Sequence, residues 1–192
     1  MNKIILLTLP LMGVSCAWSQ GNAPTQPFET GMSRVSLGLN QFGTSTFETP
    51  GVSDVDVDSL AVNFTYGYFV TPQVEVGGRL GYSDTEASDG FGAESLTTNT
   101  IDAYGRYYWD TSSQMRPWVQ AFIGVGSTDD GFTDSDIAQY GIGIGATNMI
   151  SDSTSLDFGL EYQGATIETP GFQDIDASGL FASVFFSIFY GN

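Results

Sequence analysis

The stretch VEVGGRLGY, residues 74–82, alternates apolar and polar positions with a period of two. One set of alternate positions holds Val74, Val76, Leu80 and Tyr82, and the other holds Glu75, Gly77, Arg79 and Gly81. Successive side chains of a β-strand point to opposite faces, so this pattern predicts a strand with one apolar and one polar face. Half of the polar face is glycine, which suits a crowded interior.

The same alternation recurs in seven other runs. The eight predicted strands cover residues 34–40, 59–68, 74–82, 97–109, 117–126, 138–147, 156–163 and 179–190. Strands of about ten residues are long enough to cross a bilayer at a tilt. The runs at 117–126 and 179–190 are the least regular, because both of their faces carry aromatic residues.

The segments between the runs alternate in length. Short segments at 70–73, 110–116 and 148–155 alternate with long, acidic ones at 41–58, 83–96, 127–137 and 164–178. Short turns at one end and long loops at the other are typical of transmembrane barrels. We therefore predict an all-β fold: an eight-stranded antiparallel up-and-down transmembrane β-barrel with short periplasmic turns and long acidic extracellular loops.

A soluble ligand-binding barrel of the lipocalin type is the alternative architecture, because it also has eight alternating strands. Its water-facing surface should be rich in lysine and glutamate. Here the polar faces carry mainly Gly, Ser, Thr and Asn, and the chain after Lys3 contains no lysine. The pattern favours the membrane barrel and leaves the soluble barrel as the weaker alternative.

The N-terminus has the layout of a secretory signal peptide. Residues 1–19 combine Lys3, an apolar run and small residues at Ala17 and Ser19, which predicts cleavage after Ser19. Lipidation at Cys16 is the less favoured alternative. The predicted organisation is a signal peptide at 1–19, a short lead-in at 20–29 and a barrel at 30–190, exported to the outer membrane of a Gram-negative bacterium.

The charge of the chain excludes some classes of function. Cleavage would remove Lys3 and lower the formal charge from −17 to −18, and a chain this acidic repels nucleic acid. It would also leave no Cys, Lys or His, the usual nucleophiles and bases, so we predict no enzymatic activity. We predict no cofactor beyond weak association of divalent cations with the acidic loops.

Two groups of strand residues stand out by position. Aromatic residues on the apolar faces, near the short-turn ends, predict an interfacial girdle: Tyr66, Tyr68, Tyr107, Trp109 and Tyr190. Charged residues on the polar faces predict a network inside the barrel: Arg34, Glu75, Arg79, Asp102, Arg106, Asp157 and Glu161. Buried charges must be paired, so we expect this network to plug the lumen, either as a static plug or as a gate.

Several of these runs carry a family resemblance. They are VEVGGRLGY at 74–82, YGRYY at 104–108, PWVQAFIGVG at 117–126, and the alternating Val184, Phe186, Ile188 and Tyr190. With them the chain resembles the small OmpA/OmpX-type outer-membrane barrels. The resemblance implies that the last strand carries a signal for the barrel-assembly machinery, although that family usually ends on the aromatic residue and here Gly191 and Asn192 follow.

A short motif occurs twice, as TFETPG at 46–51 and as TIETPG at 166–171, and both copies lead into further acids. The first and last outer loops become neighbours in a closed barrel. The repeat reflects either shared turn chemistry or a paired surface site of Glu48, Asp54, Asp56, Glu168, Asp174 and Asp176. Because Val55 and Val57 alternate with acids, we expect a strand there rather than a calcium loop.

The sequence thus predicts a monomeric barrel in contact with outer-membrane lipid and lipopolysaccharide. Its predicted role is structural or in surface interaction, through envelope integrity or adhesion by the acidic loops. A narrow, low-conductance pore for ions or small solutes is the alternative function.

Overall fold

The structure is a computed structural model, which describes residues 28–48, 55–58, 60–88, 93–111, 114–129, 133–171 and 174–191. The predicted signal peptide and residues 20–27 of the predicted lead-in lie outside these ranges. No helix in the described part of the chain is long and apolar enough to cross a membrane.

The described residues form nine strands. They are β1 (Ser33–Glu48), β2 (Val55–Asp58), β3 (Leu60–Thr71), β4 (Val74–Ser88), β5 (Ala93–Tyr108), β6 (Met115–Asp129), β7 (Asp134–Ser151), β8 (Thr154–Glu168) and β9 (Ile175–Tyr190). Each of the eight predicted runs lies within or largely within one of these strands. The short β2 is the strand expected from the alternation of Val55 and Val57.

The sheet closes on itself. Strands β1 and β3 pair, each later strand pairs antiparallel with the next, and β9 returns to pair with β1 along fifteen register positions from Ser33↔Tyr190 to Glu48↔Asp176. The short β2 pairs with the outer part of β1, on the same edge as β3. The predicted eight-stranded antiparallel barrel is confirmed, and closure satisfies the backbone groups of the edge strands.

The strands are longer than the alternation predicts, at the end opposite the short turns. Strand β1 continues to Glu48 rather than residue 40, and β5 begins at Ala93 rather than residue 97. Parts of the segments predicted as loops are therefore paired strand. The apolar pattern ends before the strands end. In transmembrane barrels the outward apolar band covers only the part of each strand that lies in the lipid, and polar residues are accepted on both faces beyond it.

The barrel is apolar outside and polar inside. Ile123, Ile142 and Leu37 are 69%, 63% and 59% exposed on the outer face, whereas the inward charged residues are buried. A soluble ligand-binding barrel has the opposite arrangement, with an apolar interior and a hydrated exterior. That weaker alternative is wrong for this chain.

Candidate functional site in the barrel lumen

All seven charged residues predicted for the lumen point inward and are buried. They form two groups at different heights. The lower network, nearer the short turns, consists of Arg34, Glu75, Arg106 and Asp157, and the upper network consists of Arg79, Asp102 and Glu161. The strand period placed these side chains on one face, and closure of the barrel brings them together.

Arg34 on β1 is the centre of the lower network. Its Nε donates to Glu75 Oε1 at 3.0 Å, and its NH1 donates to Asp157 Oδ2. Glu75 also accepts hydrogen bonds from the hydroxyls of Tyr104 at 2.6 Å and Tyr108 at 2.7 Å. Both carboxylates thus exchange water for charge-assisted hydrogen bonds, which is the condition for burying them.

Arg106 is held more by neutral partners than by charge. Its Nε donates to Gln120 Oε1 at 2.8 Å, and its guanidinium carbon lies 4.1 Å from the ring centre of Trp118. The distance from its NH1 to Asp157 Oδ2 is 3.5 Å. Asp157 also accepts a hydrogen bond from Ser187 at 3.0 Å. Because Arg34 lies closer to Asp157 than Arg106 does, Arg106 is the more loosely held of the two arginines beside this carboxylate.

Arg79 organises the upper network. Its Nε donates to Asp102 Oδ2 at 2.6 Å and its NH1 donates to Glu161 Oε2 at 2.9 Å. Gln139 donates to Asp102, and the Arg79 guanidinium lies 4.0 Å from the ring centre of Phe122. The two networks therefore cross the lumen at two levels, each with an arginine bridging two carboxylates.

Below the lower network, aromatic and apolar side chains fill the lumen. This aromatic layer consists of Phe28, Phe69, Tyr108, Trp118, Met149 and Phe189, with Met32 packed against it. We did not predict it from the sequence. The available signal was the presence of aromatic residues on the polar faces at 117–126 and 179–190, which made those runs irregular.

Inward glycines leave room for the large interior side chains. A Cβ on Gly159 would lie 2.6 Å from Cη2 of Trp118, and one on Gly77 would lie 2.8 Å from the ring of Tyr104. Both distances are far below ordinary van der Waals contact. The glycine-rich polar faces therefore belong to a lumen that is packed with its own side chains, as the narrow barrel predicts.

We expect Gly159→Ala to destabilise the barrel by about 1–3 kcal/mol, because the new methyl group overlaps the confined ring of Trp118. Gly105→Ala is the matched control, since no atom lies within 4 Å of its added Cβ. Urea unfolding of the refolded protein would measure both. Equal effects of the two substitutions would contradict tight packing around Trp118.

Above the upper network, a cavity of about 60 Å³ opens away from the short turns. Its walls include Asn63, Thr100 and Gln163, and Arg79 and Asp102 also line it. A space of this size and polarity holds a few water molecules.

The sequence model described as "Outer membrane protein beta-barrel domain" matches residues 4–186. The chain belongs to this family. No curated protein sequence gives a significant match.

Solved structures of small outer-membrane barrels have the same fold as this family member. Neisserial surface protein A (NspA) matches with a TM-score of 0.59 and 16% identity, over 81% of this chain and 97% of that one. OprG from Pseudomonas aeruginosa matches with a TM-score of 0.56 and 12% identity, over 85% and 98% of the two chains. At these identities the likeness concerns the fold alone.

The five aromatic residues predicted as a girdle lie exposed on the outer face of this outer-membrane barrel: Tyr66, Tyr68, Tyr107, Trp109 and Tyr190. Tyr107 and Trp109 contact each other edge to face, with ring centres 5.6 Å apart. All five lie in the half of the barrel nearer the short turns. Their role at a membrane interface stays a prediction.

The repeated acidic segments meet where β1 and β9 close the barrel. Glu48 and Asp176 are register partners, and Asp56 on β2 is the register partner of Thr46. Asp176 accepts a hydrogen bond from Thr166 at 2.9 Å, and Glu168 and Asp174 are exposed. Asp54 and the side chains of Glu48 and Asp56 lie outside the described residues.

The acidic residues near the β1–β9 pairing raise the question of a metal site. Within the described residues, no group of three or more His, Cys, Asp or Glu side chains is placed to hold a metal ion. The paired surface site therefore stays a prediction.

Proposed function

We propose that the protein is a sealed barrel of the Gram-negative outer membrane whose role is structural or in surface interaction. The observation that carries this proposal is the filled lumen: an aromatic layer and two ion-pair networks lie one above another across it. A transport path needs an open cross-section, which this interior does not offer at those levels. Function then belongs to the outer surface.

The outer surface suits contact with a lipid bilayer. The apolar belt and the five girdle aromatics would hold the barrel at a fixed depth, as a monomer surrounded by lipid. Export through a cleaved signal peptide and insertion by the barrel-assembly machinery acting on β9 complete this proposal.

The acidic outer ends of the strands would associate weakly with divalent cations and, through them, with lipopolysaccharide. Envelope integrity and adhesion both use this acidic surface.

A narrow pore is the second candidate, and one observation favours it. The polar cavity above Arg79 leads from the outer end of the barrel to the upper network. In the lower network, Arg106 lies 3.5 Å from Asp157, close enough to exchange partners with Arg34. Such an exchange would act as a gate for ions or small solutes.

Planar-bilayer conductance of the refolded protein distinguishes the two candidates. We expect no conductance steps from the wild type, since ion pairs and packed aromatic rings occupy the lumen. Arg106→Ala is the informative variant because Arg106 has the longest ion-pair distance in the two lumen networks, 3.5 Å to Asp157. Discrete conductance steps in the wild type that become larger in Arg106→Ala would contradict the sealed barrel and support a gated pore. The fold of each sample is checked by its heat-modifiable migration in the same detergent.

A further inference from the structure

Phe28 lies before the first strand, yet it is only 3% exposed. Its ring lies inside the short-turn mouth, by which we mean the end of the lumen bordered by the turns at 72–73 and 152–153. The ring centres of Phe69, Tyr108 and Phe189 lie 5.4, 4.9 and 5.4 Å from that of Phe28. These three residues come from β3, β5 and β9, so Phe28 touches the barrel wall on several sides.

A tight turn carries the chain from β1 into this position. Met32 N donates to Glu29 O at 3.1 Å, and Gly31 has a φ of 93°, a conformation that favours glycine. Gly31 N then donates to Phe69 O at 2.9 Å, and Phe69 N donates to Met32 O at 2.9 Å. The turn is thereby fixed to the end of β3 and directs the preceding residue into the mouth.

The side of the Phe28 ring that faces away from the aromatic layer contacts a cation. The guanidinium carbon of Arg116 lies 4.2 Å from the ring centre, a cation–π geometry. Arg116 in turn donates to Asp110, which is 72% exposed and marks the boundary with water. The order from water inward is therefore an ion pair, the Phe28 ring, the remaining aromatic layer and the lower network.

We propose that Phe28 is a removable stopper: the turn at 29–32 places its ring in the short-turn mouth, and departure of the ring opens that mouth to water without unfolding the barrel. Within the described residues its side chain packs against aromatic rings and the Arg116 guanidinium, whereas the barrel is held by ladder hydrogen bonds from Ser33 onward. Loss of the Phe28 contacts thus breaks no strand pairing. The barrier at this end is the Phe28 ring, which is distinct from the arginine–carboxylate networks.

Thiol accessibility tests the stopper. The chain has a single cysteine, so a Cys16→Ser background makes an introduced cysteine the only thiol. Thr147→Cys is the probe, since Thr147 is fully buried and is the register partner of Arg116. Its hydroxyl has no hydrogen-bond partner among the residues that the structure describes. The reagent is a small quaternary-ammonium methanethiosulfonate, and mass spectrometry follows the modification in micelles.

With Phe28→Ala added, we expect the Thr147→Cys thiol to react about ten-fold faster or more, because local opening of the mouth now dominates its exposure. Phe186→Ala is the matched control, since it removes the same side chain from the outer face. A second probe, Thr65→Cys, lies higher in the lumen at the level of Arg79 and should keep its rate.

Three results would overturn the proposal. The first is an unchanged rate at Thr147→Cys, and the second is equal acceleration at both probes, which would indicate general loosening of the barrel. The third is failure of Phe28→Ala to give a heat-modifiable barrel, because a removable stopper leaves the ladder intact. Phe28→Trp should restore slow modification, since a larger ring still fills the mouth.

Discussion

Arg34→Ala should destabilise the folded barrel by about 3–5 kcal/mol, the usual cost of removing one partner from a buried ion pair. Arg34 bridges Glu75 and Asp157, and all three side chains are at most 1% exposed. Without it, two buried carboxylates face one remaining cation in the lower network. The tyrosine and serine hydroxyls that bond them do not neutralise their charge.

The measurement is the free energy of unfolding from urea titration of the refolded protein in lipid vesicles. Arg116→Ala is the matched control because the same side chain is truncated where its partner, Asp110, is exposed. Solvent screens this ion pair, but the control also loses the cation–π contact of Arg116 with Phe28, so we expect a loss of about 1–2 kcal/mol, smaller than that of Arg34→Ala. Equal losses in the two variants would contradict a buried network centred on Arg34.

A second substitution tests whether the loss comes from charge. Adding Asp157→Asn to Arg34→Ala removes one of the carboxylates left without its main cation. The double variant should therefore recover part of the lost stability, whereas independent sites would give additive losses. Full additivity would mean that Arg34 acts through packing alone.

The sequence predicts which side chains enter the lumen but not how they pair. The period of two places Arg34, Glu75 and Arg106 on inward faces, because alternate residues of a strand share a face. Glu75 and Arg106 are register partners on β4 and β5, yet Glu75 pairs with Arg34 on β1, whereas Arg106 bonds its other register partner, Gln120 on β6. In a narrow barrel, side chains also contact residues on strands that are not their neighbours. Which residues meet depends on the stagger of the strands, and the alternation of apolar and polar residues does not reveal that stagger.

Features outside the alternating runs were harder to predict. Phe28 precedes the first run, and nothing in its neighbourhood shows a period, so its entry into the mouth depends on tertiary packing alone. The outer ends of the strands were missed for another reason. There the residues are mostly polar on both faces, so pairing continues where the regular apolar alternation has ended.

Ile123→Arg should destabilise the barrel by about 2–4 kcal/mol, because Ile123 lies on the outer face midway along β6. An arginine there must sit in hydrocarbon or bend toward an interface, and both cost free energy. The inward neighbours on β6, Phe122 and Gly124, are unchanged by this substitution. The effect therefore reports the environment of the outer face rather than the packing of the lumen.

Ser127→Arg is the control, since Ser127 lies on the same strand and the same face, four residues nearer the outer end. At an interface the cost of arginine falls to about 0–1 kcal/mol. Urea unfolding in vesicles compares the two variants with the wild type. A large loss at residue 123 with little change at residue 127 would place the middle of β6 in the hydrocarbon. Equal small losses would mean that this face meets water along its whole length, and the membrane assignment of the apolar belt would fail.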